Sequence, residues 1–325
     1  MDSSEIFDIA NDNDFKRKCL DVFRHQAEFN SVYREFIDLL GRSPRGISEI
    51  EDIPFLPIEF FKTRSVLSSK EKVMKTFTSS GTTGSVPSRH MITDLSLYEQ
   101  SFTRGFEYFY RSPEKYTILA LLPSYLERGG SSLVYMADRL IQMSRSEASG
   151  FYLNELDELA EALEGLDRSG KTVLLLGVSY ALLDLVERKK FKLGNSIVME
   201  TGGMKGRRKE MVREELHDRL KKGFGVDHIH SEYGMTELLS QAYSRGNGLF
   251  HCPPWMKIMV RDTEDPFHYL GLNKTGGINI IDLANLNSCS FIATQDLGRM
   301  HGDGSFEIVG RFDHSDIRGC NLMSV

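Results

Sequence analysis

Apolar residues between positions 14 and 40 recur at the three- and four-residue spacing of a helix face. They form two stripes: Phe15, Cys19, Val22 and Phe23, then Val32, Phe36, Leu39 and Leu40. The spacing predicts two helices, and Gly41 with the Ser43-Pro44 breaker predicts where the second one ends. The following segment, Ile53–Ile58, contains two prolines, which predict an extended path.

From Val73 onward, continuous apolar runs alternate with segments of helical periodicity. The runs predict strands at Val73–Phe77, Tyr116–Leu122, Val173–Val178 and Ser196–Met199. The periodic segments predict helices at Leu95–Phe109, Ser131–Met143, Ala181–Lys189 and Arg208–Lys221. Uniformly apolar strands separated by helices are typical of an α/β fold with a parallel sheet.

After about Gly246 the pattern changes to short strands separated by Gly, Asn and Asp turns. These strands are Lys257–Val260, Gly277–Ile281, Ser290–Ala293 and Ser305–Ile308, and they predict an antiparallel β subdomain. A length of 325 residues fits about two domains or one large α/β unit with an appendage. The predicted organisation is a helical segment packing on the core (1–70), an α/β core (71–245), a β-rich subdomain (246–310) and a tail (311–325).

Charge and composition exclude several classes of function. With 40 basic and 46 acidic residues the formal charge is −6, which argues against nucleic acid as the main partner. The longest apolar runs fall well short of the about 20 residues that span a bilayer. Neither a signal peptide at the N-terminus nor a CxxC pair among the four cysteines is visible, so we expect a cytoplasmic protein with free thiols.

Three segments contain residues suited to nucleotide chemistry. The first, Thr78–Gly84, follows a predicted strand, and its small residues and hydroxyls suit a phosphate, although a solvated linker would have the same composition. It lacks the Gly-Lys-Ser/Thr ending of a Walker A loop. The second, His230–Glu237, offers a tyrosine for base stacking, a threonine for phosphate and a carboxylate for Mg²⁺, or is an ordinary Tyr-Gly turn. The third, Thr294–Gly298 followed by Gly310–Asp313, offers an aspartate for ribose hydroxyls or simple turn chemistry.

The order of the three segments resembles the core motifs of the adenylate-forming superfamily of acyl- and aryl-acid ligases. Gly202-Gly203, about 30 residues before the Tyr-Gly-Met-Thr-Glu segment, is similar to the adenine-side segment of that superfamily. More specifically, the chain resembles the acyl-protein synthetases, with phenylacetate–CoA ligases as distant neighbours. The segments similar to that family are Pro54–Pro57, Phe60–Lys62, Tyr233–Gln241 and Arg318–Cys320.

The resemblance implies a layered α/β fold and an ATP- and Mg²⁺-dependent site. The β- and γ-phosphates would be held by Ser79, Ser80, Gly81, Thr82, Thr83 and Gly84. Gly202 and Gly203 would border the adenine, and Tyr233 would stack on it. Thr236 would touch the α-phosphate and the acyl carboxylate, and Glu237 would hold Mg²⁺. Asp296, helped by Arg311, would bind the ribose, and Asp313 would be the hinge.

The sequence departs from the superfamily pattern in three places. The segment Ser85–Arg89 is longer than the usual ending of the phosphate loop, and Gln295 replaces a glycine before Asp296. Only 12 residues follow Asp313, so we expect the small C-terminal domain and its adenylation lysine to be missing. Three cations are candidates to replace that lysine, although each has the alternative of a solvated surface charge: Lys62, Arg89 and Lys205.

The leading hypothesis is an ATP-dependent ligase that converts a small-molecule carboxylic acid to an acyl-adenylate and then to a thioester. The resemblance makes Cys320 the acyl acceptor, whereas a lone cysteine is often only a small buried apolar residue. Coenzyme A, a carrier protein or another acyl-accepting protein are alternative thiol partners. An alternative of another class is a nucleotide-binding scaffold that kept the fold and lost activity.

Overall fold

The computed structural model of the chain describes residues 3–79, 86–123, 130–202, 208 and 211–312. The α-helices in these ranges are α1 (Asp12–Phe29), α2 (Ser31–Leu39), α3 (Phe60–Thr63), α4 (Leu95–Tyr110), α5 (Ser132–Ser144), α6 (Leu156–Arg168), α7 (Ser179–Arg188) and α8 (Arg213–Phe224). The strands are β1 (Leu56–Pro57), β2 (Lys75–Thr78), β3 (Arg89–Ile92), β4 (Thr117–Leu121), β5 (Gly150–Tyr152), β6 (Val173–Val178), β7 (Ser196–Thr201), β8 (His230–Tyr233), β9 (Ala242–Ser244), β10 (Phe250–His251), β11 (Met256–Arg261), β12 (Gly276–Asp282), β13 (Phe291–Met300) and β14 (Phe306–Arg311).

Contacts divide the described residues into two compact units. The first unit falls within Met1–Met74, His90–Thr93 and Pro254–Val325, and the second within Lys75–Arg89 and Asp94–Pro253. The N-terminal helices and the β-rich C-terminal region therefore belong to one unit. The finer division into four segments stays a prediction.

The second unit is built on a sheet with the strand order β5-β4-β6-β7-β8-β9-β10. The pairs from β5 to β8 are parallel, and β9 and β10 continue the sheet as antiparallel strands. Every residue of β4 and β6 is buried, which explains why both strands are uniformly apolar. The predicted α/β fold class with a parallel sheet is confirmed.

Helices α7 and α8 of the second unit approach each other closely at a glycine. A Cβ on Gly223 would lie 2.4 Å from Cβ of Val186, so only glycine allows this contact. The close packing fixes α8 against α7, and α7 contacts β6 and β7. Residues at the start of α8 are thereby held beside the sheet.

The first unit contains an antiparallel sheet of β11, β12, β13 and β14, and β1 pairs in parallel with β13. An aromatic cluster of Phe23, Tyr33, Phe55 and Phe291 joins the N-terminal helices to this sheet. The buried amide of Gln26 strengthens the connection, because its Nε2 donates to the carbonyl oxygens of Asn285 and Leu286 and its Oε1 accepts from the backbone of Ser290. The N-terminal helices thus pack on the β-rich region within this unit, and their predicted packing on the α/β core stays a prediction.

Two predicted boundaries differ most from the structure, and several elements were not predicted. Helix α8 begins at Arg213 and not at Arg208, because the preceding residue, Val212, has an extended backbone; Arg208 instead pairs with Asp184 and Glu187 of α7. Strand β13 continues from Phe291 to Met300, so the Thr294–Gly298 segment is strand with an irregular register rather than a turn. The elements that were not predicted are α3, α6, β3, β5, β8, β9 and β10. No helix in the described part of the chain has both the length and the apolar character to cross a membrane.

Candidate active site

Gly202, predicted to border the adenine, and Tyr233, predicted to stack on it, lie at the carboxyl ends of neighbouring parallel strands. Thr201, the last residue of β7, is in register with Glu232 of β8, and Gly202 and Tyr233 come next in each strand. Gly202 has a φ of +69°, which favours glycine at this turn. The carboxyl ends of parallel strands are the usual ligand-binding edge of an α/β sheet, so the structure brings these two residues together at a suitable place.

The tyrosine of this edge is half-buried and packs against one aromatic ring. The rings of Tyr233 and Phe250 are 5.9 Å apart at an angle of 62°. Gly234 follows at a point where a Cβ would lie 2.5 Å from Oε1 of Glu232, so the backbone approaches that side chain too closely for another residue.

The next predicted residues, Thr236 and Glu237, lie in the turn after β8. The backbone N–H of Leu238 donates to the carbonyl of Met235 across this turn, at 3.1 Å. Thr236 is half-buried, whereas Glu237 is 5% exposed. Burial disfavours a carboxylate unless a cation or hydrogen-bond donors offset the loss of water, so this side chain suits a place beside a bound cation.

Only the base of the predicted phosphate loop is described. The backbone N–H of Ser79 donates to the carbonyl of Ser88 at 3.1 Å, and the N–H of Ser88 donates to Oγ of Ser79 at 2.9 Å. These bonds fix the two ends of the loop beside each other. The remaining predicted site residues that lie outside the described residues are Ser80, Gly81, Thr82, Thr83, Gly84, Gly203, Asp313 and Cys320, together with the candidate cation Lys205.

In the first unit, the predicted ribose-binding pair lies on adjacent strands. Asp296 of β13 is the cross-strand partner of Arg311 of β14, with Nε 3.6 Å from Oδ1. The aspartate is 17% exposed and the arginine 68% exposed, so the carboxylate is held by the sheet while the guanidinium reaches solvent. Of the other candidate cations, Lys62 is half-buried in α3 and Arg89 is exposed in β3.

Two buried glutamates beside this edge were missed in the sequence. Burial raises the pKa of Glu232 to about 7, and the charge of Glu200 adds to the rise, although the Thr201 hydroxyl donates to this carboxyl. Burial also opposes ionisation of Glu200, but His217 and Arg213 hold its pKa below the ordinary value. A glutamate inside an otherwise buried strand, as in Val198-Met199-Glu200, is a signal that could have revealed it.

The residues of the site fit a magnesium ion held partly by the substrate. Within the described ranges, no group of three His, Cys, Asp or Glu side chains could enclose a metal ion. Mg²⁺ commonly takes one or two protein carboxylates and completes its coordination with phosphate oxygens and water. Glu237 is the predicted carboxylate, so a dedicated protein cage is not required.

Solved structures place the fold in the class of adenylate-forming ligases. Over 93% of this chain and 68% of the other, the fold matches 2-hydroxyisobutyryl-CoA ligase in the postadenylation state with a TM-score of 0.69 and 12% identity. ATP-bound MatB from Rhodopseudomonas palustris matches 75% of this chain with a TM-score of 0.56 and 18% identity. The match covers 49% of MatB, so the chain spans about half the length of that protein.

Residues 3–324 match the family described as acyl-protein synthetase, LuxE, and the chain belongs to this family of ligases. The long-chain-fatty-acid–luciferin-component ligase of Vibrio harveyi is 24% identical over 93% of this chain and 84% of its own length. The enzyme of the same name from Photorhabdus luminescens is 39% identical over 70 residues, or 21% of this chain and 60% of that protein. The predicted family is confirmed.

Proposed function

We propose that this acyl-protein synthetase activates a carboxylic acid with ATP and then forms an acyl thioester. The observation that carries the proposal is the adjacent position of Gly202 and Tyr233 at the carboxyl ends of β7 and β8, followed by the buried Glu237. That arrangement would let the predicted motif offer a ring for base stacking, a glycine turn and a carboxylate at one edge of a sheet.

In the first half-reaction, a carboxylate oxygen of the acid attacks the α-phosphorus of ATP. The bond from this phosphorus to the bridging oxygen breaks, and pyrophosphate leaves with the electron pair. Thr236 would orient the reacting carboxylate, and the loop from Ser79 to Gly84 would hold the β- and γ-phosphates through backbone and hydroxyl donors. Gly203 would lie beside Gly202 at the adenine, and Asp296 with Arg311 would bind the ribose hydroxyls.

Magnesium, held by Glu237 and phosphate oxygens, would offset the negative charge of the triphosphate when it is bound. The protein must still bring the carboxylate and the phosphates together against their repulsion, which fixed backbone donors can do without reorganisation. Asp313 would serve as the hinge that precedes the tail.

In the second half-reaction, a thiolate attacks the acyl carbonyl carbon and AMP leaves. Burial raises the pKa of Cys19 well above its ordinary value and that of Cys289 to about 12, so neither thiol suits nucleophilic attack at neutral pH. Cys252 is half-buried. We assign the acceptor to Cys320, whose neighbour Arg318 would favour the thiolate.

The acid we propose is a long-chain aliphatic one, because both curated relatives are named for long-chain fatty acids. The test is exchange of labelled pyrophosphate into ATP with a panel of aliphatic acids of increasing length and a matched panel of aryl acids. Exchange that depends on a long aliphatic acid supports the proposal. Exchange with aryl acids alone would show that the substrate is an aryl acid and not a long-chain aliphatic one. No exchange with any acid would favour the nucleotide-binding scaffold.

A second measurement separates the thiol acceptors. Wild-type protein given ATP, Mg²⁺ and labelled acid should acquire a label that hydroxylamine removes, as expected of a thioester. If adenylation proceeds but no label appears until coenzyme A or a carrier protein is added, the acceptor is an external thiol.

A further inference from the structure

An ion pair between a buried glutamate and a half-buried arginine lies on the face of the second unit's sheet that carries α8. Nη1 of Arg213 is 3.0 Å from Oε1 of Glu200, and Nε2 of His217 is 3.5 Å from the same oxygen. The Glu200 side chain is only 5% exposed. Buried ion pairs often stabilise a fold no better than apolar residues of the same size, so their presence needs another reason.

The position of Arg213 in its helix is also unfavourable for a cation. It is the first residue of α8, where the helix dipole disfavours a cation, and two acidic residues follow it in the first turn. Its Nε is buried without a hydrogen-bond partner. The local helix chemistry therefore opposes an arginine at this point, whereas the contacts of its side chain favour one.

One set of contacts leads from the ion pair to Gly202. The Ser179 hydroxyl shares its one proton between two acceptors, Oε2 of Glu200 at 3.1 Å and the carbonyl oxygen of Gly202 at 3.0 Å. Because Ser179 begins α7, whose packing on the sheet is fixed, the hydroxyl holds the first residue after β7 in place. Gly202 is one of the two residues predicted to border the adenine.

A second set of contacts leads from the same arginine to Tyr233. The guanidinium carbon of Arg213 lies 4.8 Å from the ring centre of Phe250, and that ring packs edge-on against Tyr233. Gly248 leaves room for the arginine, since a Cβ there would lie 2.9 Å from Cδ of Arg213. The cation and the two rings therefore form a continuous stack of contacts.

We infer that Arg213 is a positioning residue for ATP, which fixes Gly202 through Glu200 and Ser179 and fixes Tyr233 through Phe250. The inference rests on the proposed function, in which Gly202 and Tyr233 flank the adenine. Arg213 does not touch the reacting atoms. Its removal should loosen both sides of the adenine site, so it should weaken ATP binding more than it slows the chemical step at saturating ATP.

The principal variant is Arg213→Leu, and its matched control is Arg219→Leu on the same helix. Arg219 is exposed and contacts Glu215 one turn away, so the control makes the same chemical change without either set of contacts. In acid-dependent pyrophosphate exchange we expect Arg213→Leu to raise the KM for ATP by about tenfold, with the KM for the acid and kcat changed less than about twofold. Arg219→Leu should match wild type.

Two further variants test each set of contacts while the ion pair stays intact. Ser179→Ala and Phe250→Leu should each raise the KM for ATP by about threefold to fivefold, as expected for loss of one contact. In the Arg213→Leu background, either change should raise the KM for ATP little further, because loss of the arginine already weakens both sets of contacts. If Arg213→Leu does not fold, the double variant Glu200→Gln, Arg213→Leu removes the unpaired buried charge and takes its place.

The outcomes separate this inference from the proposed function. Wild-type protein that neither binds ATP nor exchanges pyrophosphate would refute both. Wild-type exchange combined with an unchanged KM for ATP in Arg213→Leu, Ser179→Ala and Phe250→Leu would refute only the positioning role. Equal rises in the KM for ATP and for the acid, together with a lower melting temperature, would show that the ion pair merely stabilises the fold.

Discussion

Two glutamates on adjacent strands of one sheet have opposite protonation preferences. Glu200 has Arg213 and His217 beside it, whereas Glu232 is surrounded by Thr201, Tyr98 and Tyr243, and its carboxyl also feels the charge of Glu200. Cationic neighbours favour the carboxylate of Glu200, and burial among neutral groups favours the protonated form of Glu232. Closely placed carboxyls with diverging pKa values are often found at functional sites.

We predict that Glu232→Gln stabilises the protein at pH 8 relative to wild type and has little such effect near pH 4.5. The pKa of Glu232 is raised from 4.5 to about 7 in the fold, so wild type loses stability as the pH rises through this window. Glutamine stays neutral at every pH, so at pH 8 the free energy of unfolding of Glu232→Gln should exceed that of wild type by about 3 kcal/mol at most.

Urea unfolding of both proteins at pH 4.5, 6 and 8 measures this gain. Glu200→Gln is the control, because its carboxylate is stabilised by the fold and its loss should destabilise the protein at pH 8. A stability difference between Glu232→Gln and wild type that does not change with pH would contradict the raised pKa.

We predict that Glu237→Gln lowers pyrophosphate exchange by at least about a hundredfold, because the neutral amide holds Mg²⁺ and offsets phosphate charge poorly. Glutamine preserves the size of this buried side chain, so folding should be retained. Exchange is measured over a range of Mg²⁺ concentrations, with Glu214→Gln on α8 as a control for loss of one carboxylate. A wild-type exchange rate in Glu237→Gln would rule out the metal role.

At the scale of elements, uniformly apolar strands were the most predictable part of the chain. Strand β6 was predicted with its observed ends, Val173–Val178, because all six residues are buried and none has a polar side chain, whereas the exposed Thr172 precedes the strand and Ser179 begins the next helix. Strand β5 and helix α6 were missed, since β5 has three half-buried residues and gives no such run. The length of β13 was underestimated because its polar half, Thr294–Gly298, has the composition of a turn.

The junction of α1 and α2 provides a prediction about stability. Asn30 is fully buried, its Oδ1 accepts from the N–H groups of Val32 and Tyr33, and its Nδ2 donates to the carbonyl of Ser288. We predict that Asn30→Ala lowers the free energy of unfolding by about 2–4 kcal/mol, since it removes the helix cap that accepts from two buried N–H groups and one of the hydrogen bonds to the Ser288 carbonyl, which keeps its bond from Ser68.

Asn11→Ala is the matched control, because Asn11 caps α1 with one bond to the N–H of Asp14 at an exposed site. It should lower the free energy of unfolding by about 1 kcal/mol. Equal effects of the two substitutions in urea unfolding would show that the buried contact with Ser288 contributes little.

The β13–β14 pair provides a prediction about nucleotide binding. Asp296→Ala should raise the KM for ATP by about tenfold or more, because it removes two ribose hydrogen bonds of about 1–1.5 kcal/mol each. Its ion pair with the exposed Arg311 adds less than about 1 kcal/mol to stability, so the melting temperature should change little. Steady-state exchange kinetics with ATP and with 2′-deoxy-ATP measure the effect. An unchanged KM in the variant would refute the ribose assignment.

At the scale of the whole molecule, the motif residues can be predicted from the sequence, whereas the residues that pack against them cannot. Gly202, Tyr233 and Glu237 were predicted because they belong to short segments in a recognisable order. The link from Phe250 to Arg213 was not predictable, because it depends on the strand order β8-β9-β10 and on which face of the sheet α8 covers. Neither property leaves a local pattern in the chain.

The last prediction separates the two half-reactions of the whole molecule. Cys320→Ser should keep acid-dependent pyrophosphate exchange within about twofold of wild type, because the thiol takes no part in adenylate formation. The same variant should lose the hydroxylamine-sensitive acyl label, because a serine hydroxyl is a far weaker nucleophile than a thiolate at neutral pH. Cys252→Ser is the control and should keep both properties, since Cys252 is half-buried whereas Cys19 and Cys289 are buried. A thioester label that persists in Cys320→Ser and disappears in Cys252→Ser would move the acceptor to Cys252, and exchange lost together with the label would show that Cys320 serves the first half-reaction as well.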